Sequence, residues 1–194
     1  MSTASVTSRP GAVLADLLPA SRTKDIALVL GGAVLTGIAA QIAVPVPGSP
    51  VPVSGQTFAA LLVGTALGAR RGFLSLALYA VVGMAGMPWF AEGASGYAMP
   101  SFGYILGMLL AATVVGALAR RGADRSVLRT AGAMVAGSVI IYAVGVPYLS
   151  LATGMSFSAA IAAGLVPFLI GDALKAALAM GALPTTWKLI GRQG

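Results

Sequence analysis

The sequence predicts an all-α integral membrane protein, a bundle of six transmembrane helices with both termini in the cytoplasm. Three observations lead to this prediction. Of the 194 residues, 58% are hydrophobic and only 9% are charged, whereas a soluble domain carries about a quarter charged residues because its surface contacts water. The charges leave long uncharged blocks between them. The lysines and arginines also fall where alternate loops would lie on one side of a membrane.

The uncharged blocks locate the six helices. They cover residues 26–69, 72–91, 93–119, 130–171 and 176–187. A transmembrane helix needs about 20 apolar residues, so the first and fourth blocks are each long enough for two. Prolines and glycines at 45–55 divide the first block, and the turn-forming run 153–156 divides the fourth. The predicted helices are residues 25–44, 56–69, 72–87, 102–119, 128–150 and 158–187.

The basic residues orient these helices in the membrane. With a cytoplasmic N-terminus, every lysine and arginine outside the helices falls on the inner side, as the positive-inside rule requires. These residues are Arg9, Arg22, Lys24, Arg70, Arg71, Arg120, Arg121, Arg125, Arg129, Lys188 and Arg192. The net charge of +7 therefore follows from topology, and we expect no nucleic-acid partner. Residues 1–24 lack the long apolar core of a signal peptide and are interpreted as a cytoplasmic tail or interfacial helix, ahead of a six-helix domain at 25–190.

The composition excludes most catalytic chemistry. Cysteine and histidine are both absent, which excludes thiol nucleophiles, thiolate metal sites and imidazole acid–base catalysis. The phosphate-binding pattern G-x-x-x-x-G-K-[S/T] is also absent. We therefore expect neither an enzyme nor a bound metal or cofactor, and any uphill transport would need an energy source on another subunit.

The last predicted helix carries two charged residues, Asp172 and Lys175. A charge at the centre of a membrane helix costs about 2.5–3.5 kcal/mol on insertion scales, and such residues commonly mark functional sites. The three-residue spacing places both side chains on one helical face. Together they offer an acceptor and a donor to a polar ligand. The alternative is a self-neutralising pair that serves only helix packing. Phe168 shares the face of Asp172 and either contacts a ligand or packs in the core.

Other candidate residues lie near the predicted outer ends of the helices. Gln56 follows a stiff, proline-rich loop that could cover a site, and it is either a helix cap or a ligand contact. Trp89 and Phe90 are candidate ligand contacts or interface anchors, and Glu92 is a ligand contact or a solvated loop carboxylate. Tyr142 lines a pocket or lies at the membrane interface, and the sequence does not decide between these roles.

Several separated motifs resemble the BioY family, the biotin-specific S components of energy-coupling factor (ECF) transporters. The resemblance extends from about residue 25 to residue 187. It is carried by the proline-rich run 45–64 with Ser54-Gly55-Gln56-Thr57-Phe58, by Leu67-Gly68-Ala69-Arg70-Arg71-Gly72, by Gly86-Met87-Pro88-Trp89-Phe90-Ala91 and by Gly171-Asp172-x-x-Lys175.

This resemblance implies a six-helix bundle in the plasma membrane of a prokaryote that binds biotin near the outer face. It also implies partners, namely a transmembrane T subunit and a pair of ABC ATPases. The aspartate and lysine of the last helix look like the family's ligand contacts, which corresponds to Asp172 and Lys175 here. Lys175 would meet either the ureido ring of biotin or its valerate carboxylate. The chain contains no asparagine, so any asparagine contact used elsewhere in the family is replaced or absent.

Three alternatives remain open at this point. The chain could be an S component for a different vitamin, because an Asp–Lys pair also suits other polar ligands. It could be a membrane enzyme, although one carboxylate and one amine make a poor catalytic set. It could also be a packing or assembly subunit without a ligand, in which case neutralising Asp172 and Lys175 would be tolerated.

Overall fold

The computed structural model describes residues 11–191, and within that range the chain forms seven α-helices and one two-stranded ladder. The residues Arg9 and Arg192, which the topology prediction includes, lie outside this range. The helices are α1 (Arg22–Ala40), α2 (Gln56–Leu67), α3 (Ala69–Met84), α4 (Phe102–Arg120), α5 (Val127–Thr153), α6 (Phe157–Gly164) and α7 (Phe168–Gly191). The strands are β1 (Ala43–Val44) and β2 (Val53–Ser54).

The mostly helical fold that the sequence predicts is confirmed. Four helices of the described chain, α1, α4, α5 and α7, are long and apolar enough to cross a membrane. The helices α2 and α3 are shorter, with 12 and 16 residues. Large apolar side chains are exposed along the outer faces of the bundle, such as Leu128, Leu151 and Ile170. This distribution suits a protein whose solvent is lipid.

The predicted helix at 158–187 is wrong in one respect, because the chain forms two helices there. The interruption lies at 165–167, and Leu165 leaves the helical conformation with φ −130° and ψ −54°. Pro167 lacks a backbone N–H and disfavours helical geometry at the preceding residue. The carbonyl of Gly164, at the end of α6, accepts a hydrogen bond of 2.7 Å from the hydroxyl of Tyr104.

The predicted helix at 25–44 ends early, at Ala40, because the next residues form a short hairpin. Strands β1 and β2 pair antiparallel, with Ala43 opposite Ser54 and Val44 opposite Val53. The prolines between the strands cannot donate to a ladder or continue a helix. The loop from α1 to α2 is therefore a stiff hairpin, and it returns the chain directly to Gln56, where α2 begins as predicted.

Helix α4 lies at the centre of the bundle, packed against α2, α3 and α5. More than half of its residues are buried. Small residues allow this close packing. A β-carbon built on Gly64 of α2 would lie 2.4 Å from the carbonyl oxygen of Ala112, and one built on Gly107 would lie 2.8 Å from the Cα of Ile141. Gly103, Gly107 and Ala111 of α4, small residues at four-residue spacing, are all buried inside the bundle.

The described part of the N-terminal segment folds onto one end of the bundle. Residues Leu14–Leu17 form a single 3-10 turn, and Val13 is fully buried beside Ala119. Asp16 lies 2.8 Å from Arg71 and 3.4 Å from Arg120. Burial alone would raise the pKa of Asp16, but these arginines and the N–H of Val13 lower it overall. Within residues 11–17 the chain thus forms a docked turn, and the interpretation of residues 1–24 as a cytoplasmic tail or interfacial helix stays a prediction.

The C-terminal part of α7 packs against the same end of the bundle. The indole N–H of Trp187 donates a 2.6 Å hydrogen bond to Asp124, which is fully buried in the connection between α4 and α5. The guanidinium of Arg125 stacks over the Trp187 ring at 4.3 Å and donates to the carbonyl of Ala12. Burial raises the pKa of Asp124 despite the bond from Trp187. The N-terminal segment, the α4–α5 connection and α7 therefore form one contact network.

We predict that Gly64→Ala destabilises the bundle, because the added methyl group would separate α2 from α4. Overpacking of this kind costs about 1–3 kcal/mol, which thermal unfolding in detergent would show as a lower Tm. Gly31→Ala is the matched control, since a β-carbon there meets nothing within 4 Å and alanine favours a helix by roughly 0.5–1 kcal/mol. Equal Tm values for the two variants would contradict the close approach of α2 and α4.

We also predict that Asp16→Asn lowers the free energy of unfolding at pH 7, by about 1 kcal/mol, the value of a good partly exposed ion pair. The pKa of Asp16 is lowered in the folded state, so its contribution is present above the ordinary aspartate pKa of about 4 and is lost as the pH falls through the lowered value. The difference in Tm between the variant and the unmodified protein should therefore shrink below about pH 4. A difference that is independent of pH would contradict the ion pair.

Candidate functional site

The two charged residues of α7 form an ion pair on one face of that helix. Lys175 Nζ lies 3.3 Å from Asp172 Oδ1, and both side chains are largely shielded, with 18% and 16% of their surface exposed. A charge in such a place needs a partner and further hydrogen bonds to offset its desolvation. The pair supplies the first requirement, and neighbouring helices supply the second.

Two residues from other helices complete the polar cluster. Lys175 Nζ donates a 2.8 Å hydrogen bond to the hydroxyl of Thr57 at the start of α2. The hydroxyl of Tyr142, on α5, donates to Asp172 Oδ2. We refer to Thr57, Tyr142, Asp172 and Lys175 as the polar cluster. It presents both hydrogen-bond acceptors and donors, with the ammonium keeping one further N–H beyond the two bonds described.

Aromatic rings border the polar cluster on the side of α6. Phe168 lies one turn before Asp172 and stacks on Tyr104 with 6.3 Å between the ring centroids. Tyr142 meets Phe168 edge to face at 6.5 Å. The ring of Phe168 is buried, so the packing role that the sequence allowed is present. One of its neighbours, Tyr142, belongs to the polar cluster itself.

Two connected spaces adjoin the polar cluster. The smaller is about 10 Å³, room for roughly one water molecule, and is bordered by Thr57, Asp172 and Lys175. The larger is a groove of about 620 Å³ between α5, α6 and α7. Asp172 and Ser138 border both spaces. The remaining wall of the groove is almost entirely apolar. The groove therefore combines a few polar groups with a wall that suits hydrocarbon.

The hairpin between α1 and α2 lies next to the start of α7. A β-carbon on Gly171 would be 3.5 Å from the Cγ1 of Val53 in β2, and Gly171 directly precedes Asp172. On the other side, the N–H of Gly55 bonds to the carbonyl of Ile42 at 2.9 Å. A backbone bond thus closes the base of the hairpin, and the side chain of Val53 contacts α7 beside the polar cluster.

Gln56, Trp89 and Phe90 belong to a second, neighbouring cluster. The hydroxyl of buried Tyr79 donates a 2.9 Å hydrogen bond to Gln56 Oε1. The indole N–H of Trp89 donates to the carbonyl of Tyr79 at 3.0 Å. Phe90 is 1% exposed and fills the space that a β-carbon on Gly83 would need.

This second cluster resolves one alternative from the sequence. The interpretation of Gln56 as a helix cap is wrong, because α2 has no side-chain cap and the Gln56 amide bonds to Tyr79. The Gln41 amide, at the end of α1, donates to the carbonyls of Trp89 and Phe90. The segment after α3 is thereby fixed to α1, and Gln56 is joined to the polar cluster through its chain neighbour Thr57.

Glu92 lies apart from these contacts. It is exposed and adopts the left-handed conformation, with φ 60°. Within residues 11–191 it forms no ion pair. The same range contains no group of three residues able to hold a metal ion.

Two residues of the site were missed by sequence reasoning, Thr57 and Tyr104. Thr57 carries the hydroxyl that receives Lys175, and it follows the candidate Gln56 directly in the chain. A polar residue in the first turn of an otherwise apolar helix was the available signal. Tyr104 gave no signal of its own, because its role depends on where α6 ends.

Comparison with known proteins identifies the family. The sequence matches the BioY family over residues 9–192. The chain belongs to the BioY family. The probable biotin transporter BioY of Pyrococcus horikoshii is 35% identical over 82% of this chain and 93% of its own length. The probable biotin transporter BioY of Lysinibacillus sphaericus is 34% identical over 80% of this chain and 83% of its own length.

A solved structure has the same fold. The crystal structure at 2.1 Å of the S-component for biotin from an ECF-type ABC transporter superposes with a TM-score of 0.77 and 21% identity, covering 88% of this chain and 95% of that chain. The resemblance to the BioY family is therefore confirmed, and this is a membrane protein. Its curated relatives are transporters, which confirms the prediction that the chain is not an enzyme.

We predict that Tyr79→Phe lowers the stability of this BioY protein. The change removes the donor to Gln56 Oε1 without changing shape, and a buried acceptor left without a partner costs about 1–3 kcal/mol. Thermal unfolding in detergent measures the effect. Tyr97→Phe is the control, since Tyr97 is exposed and the change should stay within about 0.5 kcal/mol. Similar Tm values for both variants would mean that the Tyr79–Gln56 bond contributes nothing.

Proposed function

We propose that this chain captures biotin at the polar cluster and delivers it for uptake as the S component of an ECF-type ABC transporter. The observation that carries the proposal is the convergence of Thr57, Tyr142, Asp172 and Lys175 beside an apolar groove that Tyr142 and Asp172 line, in a chain of the BioY family. This arrangement suits a molecule with one hydrogen-bonding end and one hydrocarbon part.

The chemistry of biotin matches the two halves of this site. Its ureido ring offers two N–H donors and a carbonyl acceptor, for which Asp172 and Lys175 are complementary. The two side chains lie 3.3 Å apart, so both must meet the same end of a ligand. We therefore assign Lys175 to the ureido carbonyl rather than to the valerate carboxylate. The aliphatic tail then extends into the groove between α5, α6 and α7.

Binding must replace contacts that the cluster makes with itself. The space between Thr57, Asp172 and Lys175 is about 10 Å³, far less than a bicyclic ring needs. The ring would separate Lys175 from Thr57 and Tyr142 from Asp172, and would take over their hydrogen bonds. Phe168 would then contact the ring system, and Gln56 would contribute through its position next to Thr57. We propose that Trp89 and Phe90 support the wall of the site at Gln56, and that Glu92 does not contact the ligand.

The hairpin between α1 and α2 supports a covering role. This loop is apolar and stiffened by proline, and its Val53 side chain lies against Gly171, next to Asp172. A stiff loop loses little conformational entropy when it closes over a ligand. We propose that it limits the escape of biotin from the site.

The topology and partners follow from the same proposal. We propose six spans, with α6 and α7 together forming the last, in a multi-pass protein of a prokaryotic plasma membrane. Contacts join Arg71, Arg120 and Arg125 through the N-terminal segment at one end of the bundle, which supports a cytoplasmic position for both termini. The partners would be a transmembrane T subunit and a pair of ABC ATPases. The small residues Ala173, Ala177 and Gly181 are exposed on α7 and would let a partner helix approach closely.

We predict that the purified, ligand-free protein binds biotin tightly and saturably in isothermal titration calorimetry. Asp172→Asn and Lys175→Met should each weaken binding by about 10–150-fold, the equivalent of the 1.5–3 kcal/mol of one hydrogen bond to a charged group. Asp16→Asn and Lys188→Met are matched controls, because they make the same changes at the opposite end of the bundle. They should leave the affinity unchanged.

Each outcome of this titration separates the alternatives. Binding of riboflavin or another vitamin in place of biotin would identify an S component of different specificity. Unchanged biotin affinity in both site variants would remove Asp172 and Lys175 from the site. Folded protein that binds none of these ligands, together with site variants as stable as the original, would favour a packing subunit.

A further inference from the structure

A second groove, of about 790 Å³, lies between α1 and α3, on a part of the surface that the biotin proposal does not use. Its lining residues come only from these two helices. Arginines are concentrated at one end, and the remainder of the wall is apolar. We propose that this groove binds one anionic phospholipid, with the phosphate at the arginine end and one acyl chain between the helices.

Two arginines at this end are available to a phosphate. Arg22 and Arg70 are exposed, and neither is within ion-pair distance of a carboxylate in residues 11–191. All five Asp and Glu side chains of the sequence lie in that range. The third arginine of the groove, Arg71, is already bound to Asp16 and Asp25.

The one carboxylate of the groove does not oppose this assignment. Asp25 accepts a 2.9 Å hydrogen bond from Arg71 Nε and lies 3.9 Å from Lys24 Nζ. Its charge is therefore balanced by neighbours, and two positive charges remain for a ligand. Basic pockets between membrane helices on the cytoplasmic side are typical binding sites for anionic headgroups.

Two helix N-termini also lie at the arginine end. Helix α1 begins at Arg22 and α3 begins at Ala69, so both N-termini point to the arginine end of the groove. A helix N-terminus carries about half a positive charge from its unpaired N–H groups. In α3 no side chain caps these groups. Phosphate is the group that such termini bind most readily.

The apolar part of the groove has the dimensions of one leaflet. Its wall consists of Ile26, Val29, Leu30, Leu74, Ala77, Leu78 and Val81. From Arg70 to Val81 the helical rise of 1.5 Å per residue gives roughly 16 Å. Half of the hydrocarbon core of a bilayer is about 15 Å. A partner helix would instead need a surface along the full thickness, so the length favours an acyl chain.

The test is lipid binding to the delipidated full chain in detergent, measured by native mass spectrometry. Dioleoylphosphatidylglycerol should bind as one tight equivalent, and dioleoylphosphatidylcholine at least about tenfold more weakly. The variant R22Q/R70Q should lose about thirtyfold in phosphatidylglycerol affinity, taking roughly 1 kcal/mol for each arginine. The variant R121Q/R129Q is the matched control, because it removes two exposed arginines outside the groove. It should change the affinity by less than about twofold.

A second variant tests the acyl-chain part separately. Ala77→Phe places a ring in the groove and leaves all arginines in place, so it should weaken the binding of phosphatidylglycerol. Inorganic phosphate should compete only poorly with phosphatidylglycerol for the groove. The Tm of this variant and its biotin titration should stay unchanged, because the groove shares no residue with the polar cluster. These readouts keep this proposal independent of the biotin proposal.

Four outcomes would overturn the proposal. Equal binding of both lipids would exclude headgroup recognition. Equal losses in R22Q/R70Q and R121Q/R129Q would indicate diffuse attraction to the basic end. Competition by millimolar inorganic phosphate, with no effect of Ala77→Phe, would indicate a free-anion site. Absence of a tight phosphatidylglycerol equivalent on the delipidated chain would exclude a lipid site in this groove.

Discussion

The close packing of α4 against α2, α3 and α5 is the constraint on which the rest of this structure depends. Glycines and alanines bring the backbones so near that a single added methyl group would meet a carbonyl oxygen, as at Gly64 and Ala112. In lipid there is no hydrophobic driving force between helices, so such contacts supply much of the association energy. The position of α4 in turn fixes Tyr104. The hydroxyl of Tyr104 bonds to the Gly164 carbonyl at the end of α6, and its ring stacks on Phe168.

Most of this fold could be predicted from the distribution of charges, because charged residues are expensive in lipid and therefore mark the helix ends. The starts of α2 and α4 at Gln56 and Phe102 agree with the prediction. The break at 165–167 could be foreseen only as a kink at Pro167. The bond from the Tyr104 hydroxyl to the Gly164 carbonyl beside this break joins residues 60 positions apart, and no local pattern of sequence contains such a contact.

The candidate site was predictable in its charged members and less so in its neutral ones. Asp172 and Lys175 stand out because intramembrane charge is rare, and the pairing expected from their spacing is present. The sequence did not decide between a pocket and the membrane interface for Tyr142, and the structure places its hydroxyl on Asp172. The role of Thr57 could not be predicted from sequence, because its partner Lys175 lies 118 positions away in the chain. The roles of Gln56 and Trp89 could not be read from sequence either, because both depend on the buried hydroxyl and carbonyl of Tyr79.

The docked N-terminal segment has a consequence for the order of events during synthesis. Arg120 and Arg125 bind the carbonyls of Gly11 and Ala12, residues made 109 and 113 positions earlier. At about 5–20 residues per second, a ribosome takes on the order of ten seconds to produce that stretch. The contacts that bury Val13 in the finished protein, with Ala119 among them, therefore form only after α4 has been made.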